Sequence, residues 1–231
     1  KPCDTYSFNQ LLTEHRFDRE KVYVIGVPCN GMVDIVKIRD KVEGISKICA
    51  KDNGFTVKTL YDGDIFLSKE DALAERCLSC KSKKHVAYDE LLGEEGEVID
   101  SNRFDEVEKL EKMSADERYA FWQNELSRCI RCNACRDVCP ACTCEQCVFN
   151  NPKSGVENKA AADSFEEKMF HIIRAFHVAG RCTDCGECSR VCPQNIPLHL
   201  LNRKYIKDIN SFYGEYQAGE EVGSRAPLVN Y

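Results

Sequence analysis

Hydrophobic and polar positions change period repeatedly along the first third of the chain. Tyr6, Phe8, Leu11, Leu12 and His15 fall at helical spacing and predict an amphipathic helix over Asp4–Phe17. Lys21–Val27 is a short β-branched run closed by Pro28, which predicts a buried strand, and Gly54–Tyr61, with Phe55 and Val57 between polar neighbours, predicts another. Ser68 with Asp71 three residues on offers an N-cap to a following helix. Helix followed by strand predicts an α/β layer here. Cys49, in Ile-Cys-Ala, is expected on a helix as a small buried hydrophobe.

The remainder carries helical periods only. Leu91–Asp100 is acidic and punctuated by Gly93 and Gly96, so it is expected to be a solvated connector and a domain boundary. Phe104, Val107 and Leu110 share one face of a helix expected over Arg103–Lys112, and Ser114 with Glu117 forms a capping box for the next, Ala115–Arg128. That second helix presents Tyr119, Trp122 and Leu126, with Trp122 expected to pack in the core. Asn150–Asp163 is polar and predicts a surface loop. Ser164 and Glu167 cap a third helix whose apolar stripe is Phe165, Met169, Ile172, Ile173 and Phe176, with His171 and His177 beside it as structural histidines. Ile196–Ile206 is again helical, and the glycine-rich tail from Ser211 is expected to extend over a partner.

Composition narrows the chemistry. The chain has 231 residues and a formal net charge of -6, which argues against a nucleic-acid partner because phosphate binding needs a basic surface. No apolar run approaches the ~20 residues that span a bilayer. Lys1 opens the sequence in place of a methionine, so processing or a missing upstream domain is an open expectation. Sixteen cysteines are the outlier. They fall at metal-ligand spacings rather than as a disulfide framework of a short secreted domain, which points to a reducing, cytoplasmic compartment.

Two runs carry the strongest signal. Cys129-Ile-Arg-Cys132-Asn-Ala-Cys135-Arg-Asp-Val-Cys139 and Cys182-Thr-Asp-Cys185-Gly-Glu-Cys188-Ser-Arg-Val-Cys192 both read Cys-x2-Cys-x2-Cys-x3-Cys and are followed by Pro140 and Pro193. At this spacing three thiolates wrap one 4Fe-4S cube and the fourth reaches a neighbouring cube. Cys129, Cys132, Cys135 and Cys192 are therefore assigned to one cluster, and Cys182, Cys185, Cys188 and Cys139 to the other. Proline, with fixed φ and no N–H, ends each loop. Zinc is the competing occupant of paired Cys-x2-Cys units, but it has no use for four cysteines in so tight a run, given twice.

Cys3, Cys29, Cys77 and Cys80 lie in the N-terminal part. Each alone reads as a buried thiol; together they would suffice for a third cluster, and a zinc site from Cys77, Cys80 and His85 is the alternative. Lys-Pro-Cys at Cys3, Val-Ile-Gly-Val-Pro-Cys-Asn-Gly at Cys29 and Cys-Leu-Ser-Cys at Cys77 and Cys80 resemble the C-terminal half of the deazaflavin-linked hydrogenase and formate dehydrogenase beta subunits. That resemblance, over roughly the first ninety residues, implies that these four cysteines ligate one 4Fe-4S cluster. The segment that precedes the first cysteine in that family is not present and there is no Gly-x-Gly-x-x-Gly, so FAD is not expected in this chain. The long helical connection between the two cysteine runs makes Ser114–Asp208 similar to the α-helical ferredoxin domains of fumarate reductase and heterodisulfide reductase type complexes. The run from Cys139 through Cys142 and Cys144 also resembles iron-sulfur beta subunits of sulfite reductases and sulfhydrogenases; Cys142, Cys144 and Cys147 are expected to pack or to support the clusters.

The resulting expectation is an α+β chain: an α/β part over residues 1–100 with a third cluster, an α-helical dicluster ferredoxin part over 101–210, and an arm over 211–231. No catalytic dyad or phosphate loop is legible, so the chain is expected to act as an electron-transfer subunit of an anaerobic multi-subunit oxidoreductase and not to catalyse a reaction alone. Its expected partners carry flavin, molybdopterin or tungsten, or hydrogenase centres. The rival is a flavin-bearing beta subunit that oxidises a reduced deazaflavin or nicotinamide.

Overall fold

The computed structural model describes residues 1–81, 84–96, 102–151 and 164–227, with the side chains of residues 164–167 outside that description. The expected boundary near residue 100 and most of the predicted loop before Ser164 fall outside the described residues, as does the Ser164–Glu167 capping box.

The chain opens with α1 (Pro2–Thr13), shorter than predicted because His15 turns the backbone into the left-handed region at φ 53°. The predicted strand Lys21–Val27 shrinks to β1 (Ile25–Gly26). Tyr23, Ile25 and Val27 are 68%, 50% and 48% exposed, so the expectation of a buried strand is corrected: nothing among the described residues covers those side chains. After α2 (Ile35–Arg39), capped by the Asp34 carboxylate accepting from the Val36 and Lys37 N–H groups, come β2 (Ile45–Lys51), β3 (Gly54–Thr59) and β4 (Asp64–Ser68). These three form an antiparallel meander in sequence order. Cys49 is on β2, paired with Thr56, and not on a helix; its Ile-Cys-Ala context belongs to a strand alternation. Ser68 accepts from the Asp71 N–H as predicted, and starts only a single-turn α3 (Lys69–Ala72). Ile38, Val42, Phe55, Val57, Leu67, Ala72 and Leu73 bury one face of the meander under α2 and α3. Next, α4 (Glu75–Leu78) carries Cys77, and β5 (Glu90–Leu91) pairs in parallel with β1.

The second half is helical: α5 (Asp105–Lys112), α6 (Ala115–Ser127), α7 (Ala134–Asp137), α8 (Ser164–His177), α9 (Glu187–Arg190) and α10 (Leu198–Tyr213). The Ser114–Glu117 capping box is formed in both directions. Trp122 packs against both hydrophobic clusters of this half, as expected of a core residue. The predicted stripe of α8 is corrected. Met169 and Phe176 are exposed, whereas Phe170, His171, Arg174, Ala175 and Val178 are buried. The reason is chemical: this helix faces sulfur, and its cationic and hydrogen-bonding side chains turn inward toward it.

The tail also departs from expectation. Helix α10 continues to Tyr213, and beyond it Gln217 and Ala218 are buried within this chain. Gly219 lies so close to the Tyr6 carbonyl that a Cβ would overlap it, Arg103 donates to Gln217 at 2.6 Å, and the Gly223 N–H donates to Thr13 at 3.0 Å. The described tail therefore folds back over α1.

The two halves are joined by buried polar contacts. Arg76 pairs with Glu187 at 2.6 Å, Arg181 with Glu14 at 2.6 Å, and Arg203 donates to Ser79 at 2.8 Å.

Candidate metal centres

The two cysteine runs fold as near copies. Each begins with a loop in which the residues flanking the second cysteine both take positive φ: Arg131 (52°) and Asn133 (62°) around Cys132, Asp184 (59°) and Gly186 (65°) around Cys185. Two left-handed residues bracketing one cysteine coil the chain tightly and turn successive thiols to one side. Asparagine and glycine are the residues that accept this backbone most readily. Gly186 has a second constraint, since a Cβ there would meet the Arg76 side chain. Each loop then enters a single-turn helix, α7 or α9, that holds the third cysteine, and the two short helices pack together. Proximity of α7 to α9 is what carries Cys139 and Cys192 across to the opposite site.

Four cysteines line each of three small hollows that open toward solvent. Cys129, Cys132, Cys135 and Cys192 line one, and Cys139, Cys182, Cys185 and Cys188 line a second. Cys3, Cys29, Cys77 and Cys80 line the third, in the N-terminal half. Every cysteine is a free thiol, and among the described residues no three metal-binding side chains converge on the position of a single ion. Sulfurs spread around a common hollow suit a polynuclear cube. Each of the three hollows is thus lined by four of the twelve sequence-predicted cysteines. His85 stands elsewhere, with Nδ1 3.0 Å from Glu95.

Burial disfavours the charged form of these thiols. Burial pushes the thiol of Cys3 up to about 12, that of Cys135 to about 11 and that of Cys185 to about 12, and raises Cys182 and Cys188. Cys139 is raised first by its hydrogen bond with Cys142 and then by burial. Such sulfurs are poor thiolates by themselves and need metal charge to ionise. Backbone donors are already aimed at them. The Arg131 N–H donates to Cys129 Sγ at 3.4 Å, the equivalent Asp184 N–H serves Cys182, and Met32 N–H donates to Cys77 Sγ at 3.4 Å.

Three further side chains complete the surroundings: His171, read from the sequence as a structural histidine, and Arg174 and Asn202, which the sequence left unassigned. His171 Nε2 lies 3.3 Å from Cys129 Sγ, and burial depresses its imidazole to about 3, so it is a neutral ring able to donate N–H to sulfur. Asn202 donates to Cys188 Sγ at 3.7 Å. Arg174, on the next turn of α8 from His171, is buried among Cys135, Cys139, Cys142 and Cys188; burial opposes its charge and these sulfurs sustain it. The only sequence signal for them was polar residues breaking the inward face of a helix.

Residues 125–196 match the family model of the 4Fe-4S dicluster domain. A putative ferredoxin-3 of Sinorhizobium fredii is 33% identical over 76 residues, 31% of this chain and 70% of the relative. The chain belongs to the 4Fe-4S dicluster proteins. A second relative, the F420-dependent formate dehydrogenase subunit beta of Methanocaldococcus jannaschii, is 24% identical over 266 aligned positions, covering 90% of this chain and 69% of the relative. The F420-dependent formate dehydrogenase 1 subunit beta of Methanococcus maripaludis is 25% identical over 111 residues, with 46% of the chain and 28% of the relative covered. This dicluster protein is an iron-sulfur electron-transfer subunit of α+β fold. Among its described residues no helix is long and apolar enough to cross a membrane.

Proposed function

We propose that the chain relays single electrons through three 4Fe-4S clusters, between a partner subunit's redox centre and a second carrier in an anaerobic, cytoplasmic oxidoreductase complex. The ligand sets are the three tetrads described above, the third being Cys3, Cys29, Cys77 and Cys80. The observation that carries this reading is a shared wall. Asp184 and Cys185 line both the N-terminal hollow and the one framed by Cys139, Cys182, Cys185 and Cys188. That second centre in turn exchanges ligands with the first dicluster centre through Cys139 and Cys192. The order of the wire is accordingly N-terminal cluster, then the Cys182 centre, then the Cys129 centre.

A cube bound by four thiolates offers no iron to a substrate; what it supplies is storage of one electron at a time. The protein contributes potential control through burial, nearby charge and N–H donors to sulfur. The name of the M. jannaschii relative supports a complex in which a formate-oxidising subunit and the deazaflavin F420 stand at the two ends of the wire. Residues 1–100 and 101–210 are proposed as the two functional parts.

Anaerobic iron, acid-labile sulfide and flavin analysis of the full chain tests the reading. Reconstituted wild type is expected to hold at least three four-iron clusters and no flavin, all reducible one electron at a time. Stoichiometric flavin in the purified chain would replace the wire with the beta-subunit enzyme, and iron unaffected by Cys3→Ser/Cys29→Ser would remove the third cluster.

A further inference from the structure

Each dicluster hollow has one buried histidine on its wall. His171, from α8, lines the hollow of Cys129, Cys132, Cys135 and Cys192, and its Nε2 has a sulfur to meet, Cys129 Sγ at 3.3 Å. His199, in the first turn of α10, lines the hollow of Cys139, Cys182, Cys185 and Cys188. It is 6% exposed, and its Nε2 is buried without a hydrogen-bond partner among the described residues. A buried polar atom left so carries the full cost of its desolvation, and its position calls for a partner that the protein does not supply.

The other ring nitrogen identifies what Nε2 has to offer. The Ser189 hydroxyl accepts the His199 backbone N–H at 2.9 Å and lies 2.9 Å from Nδ1. Among the described residues Nδ1 is the acceptor within reach of the Ser189 proton, so the hydroxyl donates to Nδ1 and the ring carries its own proton on Nε2. The opposite tautomer would leave the serine proton without an acceptor. Burial first, and then the Arg203 charge, depress the imidazole to about 4 with Asp184 opposing, so the ring is neutral. A neutral Nε2–H can only donate. Asn202 donates to Cys188 Sγ at 3.7 Å and the Asp184 N–H serves Cys182, but no cysteine sulfur among the described residues accepts from His199 Nε2. The acceptor left to it is the inorganic sulfide of the cluster.

We infer that His199 donates its Nε2–H to a sulfide of the cluster in the Cys182 hollow, with Ser189 fixing the tautomer, and that this bond raises the potential of that one centre. N–H donation to sulfur stabilises the reduced, more negative cube. Ser189 directly follows the ligand Cys188, so the cysteine run itself orients the ring. The equivalent position of the other run, after Cys135, is Arg136, and the device therefore belongs to one centre alone. It gives the two dicluster centres separate control: His171 acts through a thiolate at the Cys129 centre, His199 through sulfide at the Cys182 centre, the middle of the proposed wire.

The inference rests on the iron-sulfur reading of the chain and on the Cys182 tetrad, but not on the third cluster. Full-length wild type, His199→Leu, His199→Gln and His171→Leu are reconstituted anaerobically, analysed for iron and acid-labile sulfide, and titrated potentiometrically with low-temperature electron paramagnetic resonance. His199→Leu is expected to make one dicluster centre about tenfold harder to reduce, a fall of about 59 mV in its midpoint. The other midpoint, the one that His171→Leu moves, should stay where it was. His199→Gln, whose side-chain amide sets an N–H near the place of Nε2, should recover most of the shift. Unshifted midpoints in His199→Leu with iron and sulfide intact overturn the inference, as does an equal shift at both centres, or a His199→Gln protein that behaves like His199→Leu. If His199→Leu loses iron, wild type with heavy nitrogen in its histidines decides: hyperfine coupling of a histidine nitrogen to each dicluster centre supports the bond, and coupling to one alone or to neither overturns it. Wild type without four-iron signals would overturn the iron-sulfur reading and this inference with it, whereas intact clusters with unshifted midpoints overturn the role of His199 only.

Discussion

The dicluster half and the proposed N-terminal centre each gather four cysteines, and by opposite routes. In the first, three of every four cysteines come from one coiled loop and only the crossing ligand is supplied from a distance. In the second, Cys3 comes from α1, Cys29 from the segment after β1, Cys77 from α4 and Cys80 from the turn beyond it, with part of the wall borrowed from Asp184 and Cys185. Local sequence builds the former; tertiary packing builds the latter. The N-terminal cluster should therefore fail whenever the two halves loosen, while the dicluster centres persist.

The largest effect separates the two routes directly. Cys139→Ala removes a crossing ligand from the packed core of the dicluster, and is expected to abolish the Cys182 centre and weaken its neighbour, with loss of four or more irons per chain. Cys29→Ala is expected to remove only the N-terminal cluster and to leave the dicluster spectrum intact. Iron analysis with low-temperature electron paramagnetic resonance reads both. A Cys139→Ala protein with both centres unaltered would refute the crossed arrangement.

Next in size is the joint between halves. The Arg76 and Glu187 side chains are 6% and 14% exposed, and the guanidinium also donates to the Cys185 carbonyl at 2.5 Å. Arg76→Met leaves a half-buried carboxylate with only Arg190 for company, at a cost of about 3 kcal/mol. Chemical unfolding followed by cluster absorbance should show the N-terminal centre bleaching at lower denaturant than the dicluster centres. A single coincident transition, unshifted from wild type, would mean that the halves do not depend on this pair.

Smaller in energy but more telling about function is Arg174. A positive charge fixed beside sulfurs of both dicluster centres favours the reduced, more negative state of each. Arg174→Met should lower their midpoint potentials by about 60 mV, a tenfold change in a one-electron equilibrium. Arg174→Lys, which keeps the charge, should recover most of the shift. A purely structural arginine would change unfolding and leave the potentials alone.

Legibility in the sequence followed the same divide. The Cys129 and Cys182 runs could be assigned from spacing alone because ligand spacing within a loop is a local property. Cys3, Cys29, Cys77 and Cys80 could be grouped only by resemblance, since nothing in four separated positions states that folding will bring them together. The Ser114–Glu117 cap and the meander strand at Gly54 were readable for the local reason. The α8 stripe misled because hydrophobic periodicity presumes an apolar interior; here the interior contains sulfur, and His171 and Arg174 are the residues that suit it. Tyr23 and Ile25 misled in the opposite sense: their aromatic and β-branched side chains suggest a buried strand, but only Ile25 lies in the two-residue β1 and both side chains are left bare.

The smallest effect tests the second joint by pH. Glu14 accepts from both Arg181 and Gln10; burial opposes its ionisation, but these donors hold its carboxyl below the usual value of 4.5. A carboxyl depressed in the folded state contributes stability above the unfolded value and loses it as the pH falls through the folded one. Glu14→Gln should accordingly lower stability by about 1–2 kcal/mol at pH 7, the worth of a charge-assisted hydrogen bond. The gap from wild type should stay constant down to about pH 5 and close below 4.5 as Glu14 itself takes up a proton. Anaerobic thermal unfolding of both proteins between pH 7 and 4 measures it. A gap that has not begun to narrow at pH 4 would assign the effect of Glu14 to contacts that do not depend on its charge, such as the hydrogen bond it accepts from Thr143 at 3.1 Å, and would leave Arg76 and Arg203 as the polar contacts that bind the N-terminal half to the dicluster.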